Sequence, residues 1–324
     1  MKKLICVMLT VILTLSLFAG CSEKADDGII NVAIVQQLDH SSLDEIRFAI
    51  QAELDKIAAE KGVKIEYKHF NGQNDTSILS QIGTQVVADG YDVIIPIATL
   101  AAQYSVTAAE GTNIPIIYAA VSDPAGAGLT GMANVPGVSD ALTTPFILDM
   151  MFAAAPEIDT VGLLYSLSEP NSEKPIAEAK AYLDAKGIPY IEKTGNTADE
   201  VITAATALVG RVDAVFTPTD NAIMNVAPSV AEILAGAGIA HYTGADSFVQ
   251  AGSFATCGVN YTELGTYAAD MAMDIVLGSA VPEFHVMEGG IITVNTDTAA
   301  ALGLDYSVFN SMANTVMAVS TIVD

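Results

Sequence analysis

The sequence predicts an α/β protein built as two doubly wound, Rossmann-like lobes joined by three crossings. Three observations carry this. Short apolar runs alternate with amphipathic helical segments along almost the whole chain. The rhythm breaks after Gly131 and then restarts. Polar clusters recur at the carboxyl ends of the predicted strands, where ligands sit in such sheets.

Met1-Lys2-Lys3, an apolar segment from Leu4 to Gly20, and then Cys21 read as an export signal. The segment is barely long enough for a spanning helix. Leu17-Phe18-Ala19-Gly20-Cys21 resembles a bacterial lipobox, with Phe18 where Leu is usual. Residues 1–20 are therefore expected to be a lipoprotein signal peptide, Cys21 the lipidated residue, and 21–28 a polar tether.

The first strand is Ile29 to Val35, running into Gln36-Gln37-Leu38-Asp39-His40. A helix from Ser42 has the pattern of a capping box, Ser42 with Glu45. Its apolar face is Leu43, Ile46, Ile50, Leu54 and Ile57, and Lys61-Gly62 ends it. Strand Val63 to Phe70, helix Thr76 to Asp89, strand Val93 to Ile97 and a helix from Leu100 to Glu110 follow. Ile114 to Val121 is apolar throughout and reads as a strand buried on both faces. It ends in Ser122-Asp123-Pro124 and a glycine loop.

Met132 to Asp140, with Pro136 and Gly137, reads as the crossing to the second lobe. There the pattern restarts with helix Pro145 to Ala155, strand Thr160 to Tyr165 and helix Glu173 to Ala185. Strand Tyr190 to Lys193, helix Thr197 to Val209, strand Ala214 to Phe216, helix Val226 to Ala237 and strand Ala240 to Thr243 continue it. Phe254 to Tyr261 is expected as a strand returning to the first lobe, before helix Thr262 to Leu277. Val286 to Val294 crosses once more, and Thr298 begins a helix in the second lobe. The expected division is 29–135 plus 262–286 for the N-terminal lobe and 136–261 plus 287–324 for the C-terminal lobe.

The formal charge of -25 over 324 residues repels nucleic acid and anionic headgroups, and no basic patch opposes it. Cys6 lies in the signal and Cys21 is reserved for lipid, so Cys257 has no partner within a monomer and reads as a small buried residue. The four histidines show no metal-ligand spacing, and there is no H-E-x-x-H, P-loop or G-x-S-x-G. No metal, cofactor or catalytic residue is expected. Gly126, Gly128 and Gly131 spell G-x-G-x-x-G, but Pro136 and Gly137 forbid the helix that a dinucleotide fingerprint must open. The glycines are read instead as loop glycines near a hinge.

The remaining candidates all stand at strand ends: Asp39 and His40, Thr99, Ser122 and Asp123, Ser168 and Asn171, Asp220 and Asn221, and Asp246. They fall in both lobes, so lobe closure would bring them face to face. Each also has a structural alternative: Asp39 could cap a helix, and Asn171 or Asp220 could shape a turn.

With these clusters in place, the chain resembles the substrate-binding component of ABC importers, in the family often assigned to tryptophan, tyrosine and related amino acids. The matching segments are V-A-I-V-Q-Q-L-D-H (32–40), N-G-Q-N-D (71–75), I-A-T-L-A-A-Q (97–103) and A-V-S-D-P-A-G-A-G-L (120–129). They continue with G-V-S-D (137–140), S-E-P-N-S (168–172), P-T-D-N (218–221) and G-V-N-Y-T-E-L-G (258–265). Leu100 departs from the usual proline. The resemblance implies a periplasmic binding protein type I fold and a monomer held at the outer face of the membrane. It implies capture of a small molecule, with an aromatic amino acid favoured, and delivery to an ABC permease and its ATPase. For an amino acid, Thr99 and Ser122 would take the carboxylate, Asp220 and Asp246 the ammonium, and Tyr165, Phe216 and Tyr242 the side chain. A nucleoside or sugar ligand, or a sensor feeding a signalling receptor, stays open as an alternative.

Overall fold

The computed structural model describes residues 28–322. The signal segment, Cys21 and nearly all of the tether lie outside the described residues. Among the described residues, no helix is long and apolar enough to cross a membrane.

The first lobe is a six-stranded sheet. Its strands are β1 (Ile29–Gln36), β2 (Lys64–Asn71), β3 (Val93–Ile97), β4 (Tyr118–Ala119), β5 (Gly137–Ser139) and β11 (Phe284–Val286), in the order β11-β5-β4-β3-β1-β2. Every pairing is parallel. All of β3 is buried, as its uninterrupted apolar run demands, whereas the edge strand β2 alternates between exposed and half-buried positions until the buried Phe70. Helices α1 (Ser41–Lys61), α2 (Thr76–Asp89), α3 (Thr99–Ala108) and α10 (Tyr261–Val276) cover the sheet. Helix α10 lies directly against α1 at Gly265, where a Cβ would stand 2.5 Å from the Ile46 carbonyl oxygen.

The second lobe carries seven strands in the order β13-β12-β10-β9-β8-β6-β7. In chain order they are β6 (Val161–Tyr165), β7 (Tyr190–Thr194), β8 (Ala214–Thr217), β9 (Ala240–Thr243), β10 (Ala255–Gly258), β12 (Ile291–Asn295) and β13 (Thr315–Val319). All pair in parallel except β10 with β12. The helices between them are α4 (Thr144–Ala154), α5 (Glu173–Lys186), α6 (Ala198–Thr206), α7 (Asn221–Met224), α8 (Ala227–Gly236), α9 (Asp246–Gln250) and α11 (Thr296–Leu302).

In both sheets the strand order reverses beside the first strand, between β1 and β3 and between β6 and β8. The crevice outside the carboxyl ends of strands at such a reversal is where open α/β sheets bind ligands. The chain passes between the sheets after β5, after β10 and after β11.

Several sequence expectations are corrected. Residues 137–139 form β5 and pair with β4, so the first crossing begins after Ser139 and not at residue 136. Phe254 to Tyr261 does not return to the first sheet; β10 pairs with β9 and β12, and the return follows Gly258. The apolar run from Ile114 to Val121 keeps only Tyr118–Ala119 as a strand, with a single bridge from Ile116 to Ile94. Ser42 and Glu45 form no capping box, because α1 starts one residue earlier, with His40 at its N-cap and no side-chain cap bond. The glycine loop opens no helix; Gly128 and Gly131 take left-handed backbone angles, φ 74° and 77°, as turn residues.

Candidate ligand-binding site

The two lobes close on a small cavity at the strand-order reversals of both sheets. Strand β1 delivers His40 and β3 delivers Thr99; the segment after β6 delivers Asn171, and β8 delivers Thr219, Asp220 and Asn221. Four hydrogen bonds tie the lobes together around it: Gln37 Nε2 to Glu169 Oε1 (3.0 Å), His40 Nε2 with Asn221 Oδ1 (3.0 Å), Ser42 Oγ to Ser247 Oγ (2.6 Å) and Ser122 Oγ with Thr219 Oγ1 (3.2 Å).

One end of the cavity is prepared for an anion. Helix α3 starts there with Ala98 at its N-cap, which has no side chain to satisfy the first-turn amides. Ala98 and Ala120 both line the cavity with left-handed angles, φ 78° and 56°, a conformation costly for any residue with a Cβ. Gln37 Oε1 takes the Leu100 amide at 3.2 Å, while the buried Thr99 hydroxyl has no partner.

The opposite lobe is prepared for a cation. Asp220 lines the cavity there, Asp140 lines it from the first lobe after β5, and among the described residues no lysine or arginine lines it. Asp220 is fully buried and accepts from the Ser166 amide (2.7 Å), the Ser172 hydroxyl (2.7 Å) and the Ile223 amide (3.0 Å). Burial nonetheless raises its pKa, as it does for Asp140, which accepts from Ser122 Oγ at 2.9 Å. Glu169, just behind, is pushed up to about 8 by burial and then by the Asp220 charge. Asn171 donates its amide N–H to the Thr219 carbonyl at 2.5 Å, which leaves Oδ1 buried and without a partner. His40 Nδ1 is a third such atom, and burial lowers the imidazole pKa. Leu43, Met224, Ala245 and Phe248 supply the apolar wall.

Of the residues expected from sequence, His40, Thr99, Ser122, Asn171, Asp220 and Asn221 meet at this cavity. Four do not. Asp39 is exposed and accepts from Gln36; Asp123 packs its carboxylate around Gly126; Ser168 is exposed and bonds Ser166. Asp246 lines a neighbouring cleft with Glu45, its pKa raised to about 6 by burial and then by the Glu45 charge. The ammonium role expected of Asp246 therefore has no geometry to support it. Ser122 spends its proton on Asp140 and is not free to donate to a ligand carboxylate. Phe216 and Tyr242 are core residues, and Tyr165 bonds Glu192 away from the cavity. The aromatic lining is Phe248 and Tyr261 instead.

Two α/β lobes closed over a small cavity, with an uncapped helix start on one side and a buried carboxylate on the other, define a solute-binding clamp. The chain belongs to the ABC transporter substrate binding protein family, whose model matches residues 31–313. It is 29% identical over 322 residues to a tyrosine-binding protein of Clostridioides difficile, covering 94% of this chain and 93% of that one. The ABC domain from Streptococcus pneumoniae in complex with L-Trp matches with a TM-score of 0.81 at 30% identity, covering 89% of this chain and 99% of that one. A ligand-free, open substrate-binding protein with adhesive properties from Clostridium difficile matches at the same 30% identity with a TM-score of 0.67, covering 90% and 99%. The better superposition on the ligand-bound relative accords with the cross-lobe bonds: the lobes here are closed.

Proposed function

We propose that the ligand of this ABC substrate-binding protein is an aromatic amino acid, tyrosine or tryptophan, held by both ends across the cleft. The observation that carries this is the convergence of three buried, unpartnered polar atoms, Thr99 Oγ1, Asn171 Oδ1 and His40 Nδ1, on one cavity. Buried polar groups stay unpaired only at a cost, so a closed cavity lined by three calls for a ligand that pairs them. The carboxylate sits at the start of α3, on the Thr99 hydroxyl and the first amides. The ammonium sits on Asn171 Oδ1 with the Asp220 charge behind it. Leu43, Met224 and Phe248 enclose the ring. The tyrosine- and tryptophan-binding relatives favour the same ligands.

The family acts outside the cytoplasm. Lipidation at Cys21 would hold the clamp at the membrane face beside its permease and ATPase. The test of the ligand is a thermal-shift screen of amino acids, nucleosides and sugars. A ligand at a hundred times its Kd stabilises the fold by about 2.7 kcal/mol. Since the chain has no tryptophan, energy transfer from its tyrosines to bound tryptophan gives a second readout. Stabilisation by a sugar or nucleoside, with none by tyrosine or tryptophan, would overturn the proposal.

A further inference from the structure

We propose that His40 selects the ligand's ring, its Nδ1 accepting a hydrogen bond from the phenol O–H or indole N–H; this rests on the aromatic amino-acid reading above. The polarity of His40 is fixed by a chain of bonds that begins at a backbone amide. The Leu100 N–H can only donate, so the Gln37 atom facing it is the oxygen, at 3.2 Å. The Gln37 amide nitrogen therefore faces Asn74 Oδ1 (2.9 Å) and Glu169 Oε1 (3.0 Å). With Glu169 ionised, its second oxygen accepts from Asn221 Nδ2 at 2.9 Å, which turns Asn221 Oδ1 toward His40 Nε2 at 3.0 Å. That oxygen can only accept, so Nε2 carries the imidazole proton. Nδ1 is left with a bare lone pair, buried and unpartnered at the cavity wall.

Three features assign this acceptor to the ring. A carboxylate is excluded because lone pair would face lone pair. The ammonium is disfavoured because His40 is the N-cap of a 21-residue helix, whose N-terminal end repels a cation, while its acceptors stand in the other lobe. His40 and Leu43 are three apart on α1, as Asn221 and Met224 are on α7, so the pair of polar groups lies among the apolar residues that enclose the ring. A site built to pair a substrate O–H or N–H rejects the analogue lacking it far more strongly than a site built on shape.

The test is calorimetric titration at pH 8.5, where Glu169 is ionised, with two matched ligand pairs. One is tyrosine against phenylalanine; the other is tryptophan against β-(3-benzothienyl)alanine, in which sulfur replaces the ring N–H. The wild-type protein is expected to prefer the donor-bearing member of each pair by at least about 100-fold. In His40→Leu both preferences collapse to within a few-fold. Because each preference is a ratio within one protein, a general loss of stability or closure in the variant cancels. Phenylalanine binding as tightly as tyrosine to the wild type, or an unchanged ratio in His40→Leu, overturns the assignment. If none of the four ligands binds, the aromatic amino-acid reading itself falls, and this inference with it.

Discussion

Truncating Asn171 to alanine tests the ammonium site most directly. Its Nδ2 is committed to the Thr219 carbonyl, and its Oδ1 is the unpartnered acceptor in the cation-preferring half of the cavity. A hydrogen bond to a charged group contributes about 1.5–3 kcal/mol, so Asn171→Ala should weaken tyrosine binding by roughly 10- to 150-fold. The same change strands the Thr219 carbonyl, which costs about 1–3 kcal/mol and lowers the Tm of the free protein. To separate the two effects, tyrosine is compared by calorimetry with 3-(4-hydroxyphenyl)propionate, which keeps the ring and carboxylate but has no ammonium. In the wild-type protein the analogue should bind far more weakly than tyrosine; in Asn171→Ala most of that gap should close. If the variant weakens both ligands equally, Asn171 supports the fold of the site and does not hold the ammonium.

Thr99→Val removes the unpartnered hydroxyl without changing shape; tyrosine affinity should fall about tenfold or more while the Tm of the free protein holds or rises, since no internal bond is lost. A lower Tm with unchanged affinity would place Thr99 in the fold alone. Binding should also depend on pH through the two groups whose partners lie across the cleft. Burial in the closed clamp lowers the His40 pKa and raises that of Glu169 to about 8, so the closed form disfavours a proton on His40 and favours one on Glu169. Above the ordinary imidazole value of 6.5 only Glu169 responds, so affinity should fall from pH 6.5 to 8; Glu169→Gln should abolish the fall, and a rise over that window refutes the reasoning. Asp246→Asn removes the charge facing Glu45 across the cleft, so tyrosine should bind slightly tighter at pH 7 and equally well at pH 4.5, where Asp246 is largely protonated. A large loss of affinity would restore Asp246 to the ammonium site.

The fold was legible because short apolar runs such as Val93–Ile97 alternate with helical segments, and because α1 shows its buried face at Leu43, Ile46, Ile50, Leu54 and Ile57 in its spacing. The site was half legible for a specific reason. The strand-end dipeptides Asp39-His40, Ser122-Asp123, Ser168-Glu169 and Asp246-Ser247 each send one side chain toward the cleft and the other away. Neighbouring residues at a strand end point different ways, as successive residues of extended chain do at Asp39-His40, so the position of a dipeptide is readable while its phase is not. Charge misled at Asp39, Asp123 and Asp246, where the inward partner is a histidine or serine. Ser42, Asp140 and Tyr261 escaped altogether, because they face the cavity only once the crossings have set the two lobes against each other. Ser42 and Glu45 had the spacing of a cap, yet Ser42 bonds Ser247 across the cleft and Glu45 accepts from Thr262.

Cross-lobe bonds and unpaired buried atoms act in opposite directions on closure. The cross-lobe bonds at Gln37, His40, Ser42 and Ser122 each contribute on the order of 0.5–1.5 kcal/mol, while Thr99 Oγ1, Asn171 Oδ1 and His40 Nδ1 are each buried without a partner at a cost of about 1–3 kcal/mol. The two sets are opposite in sign and of similar order. A ligand that pairs all three atoms removes the cost and keeps the bonds, which is differential affinity for the closed state and the only means by which it can drive closure. A ligand that pairs one end leaves part of the cost in place. Selectivity thus resides in closure: phenylalanine, with no ring donor for His40, satisfies the ends of the cavity yet leaves one acceptor stranded, and should hold the lobes together less well than tyrosine for that reason alone.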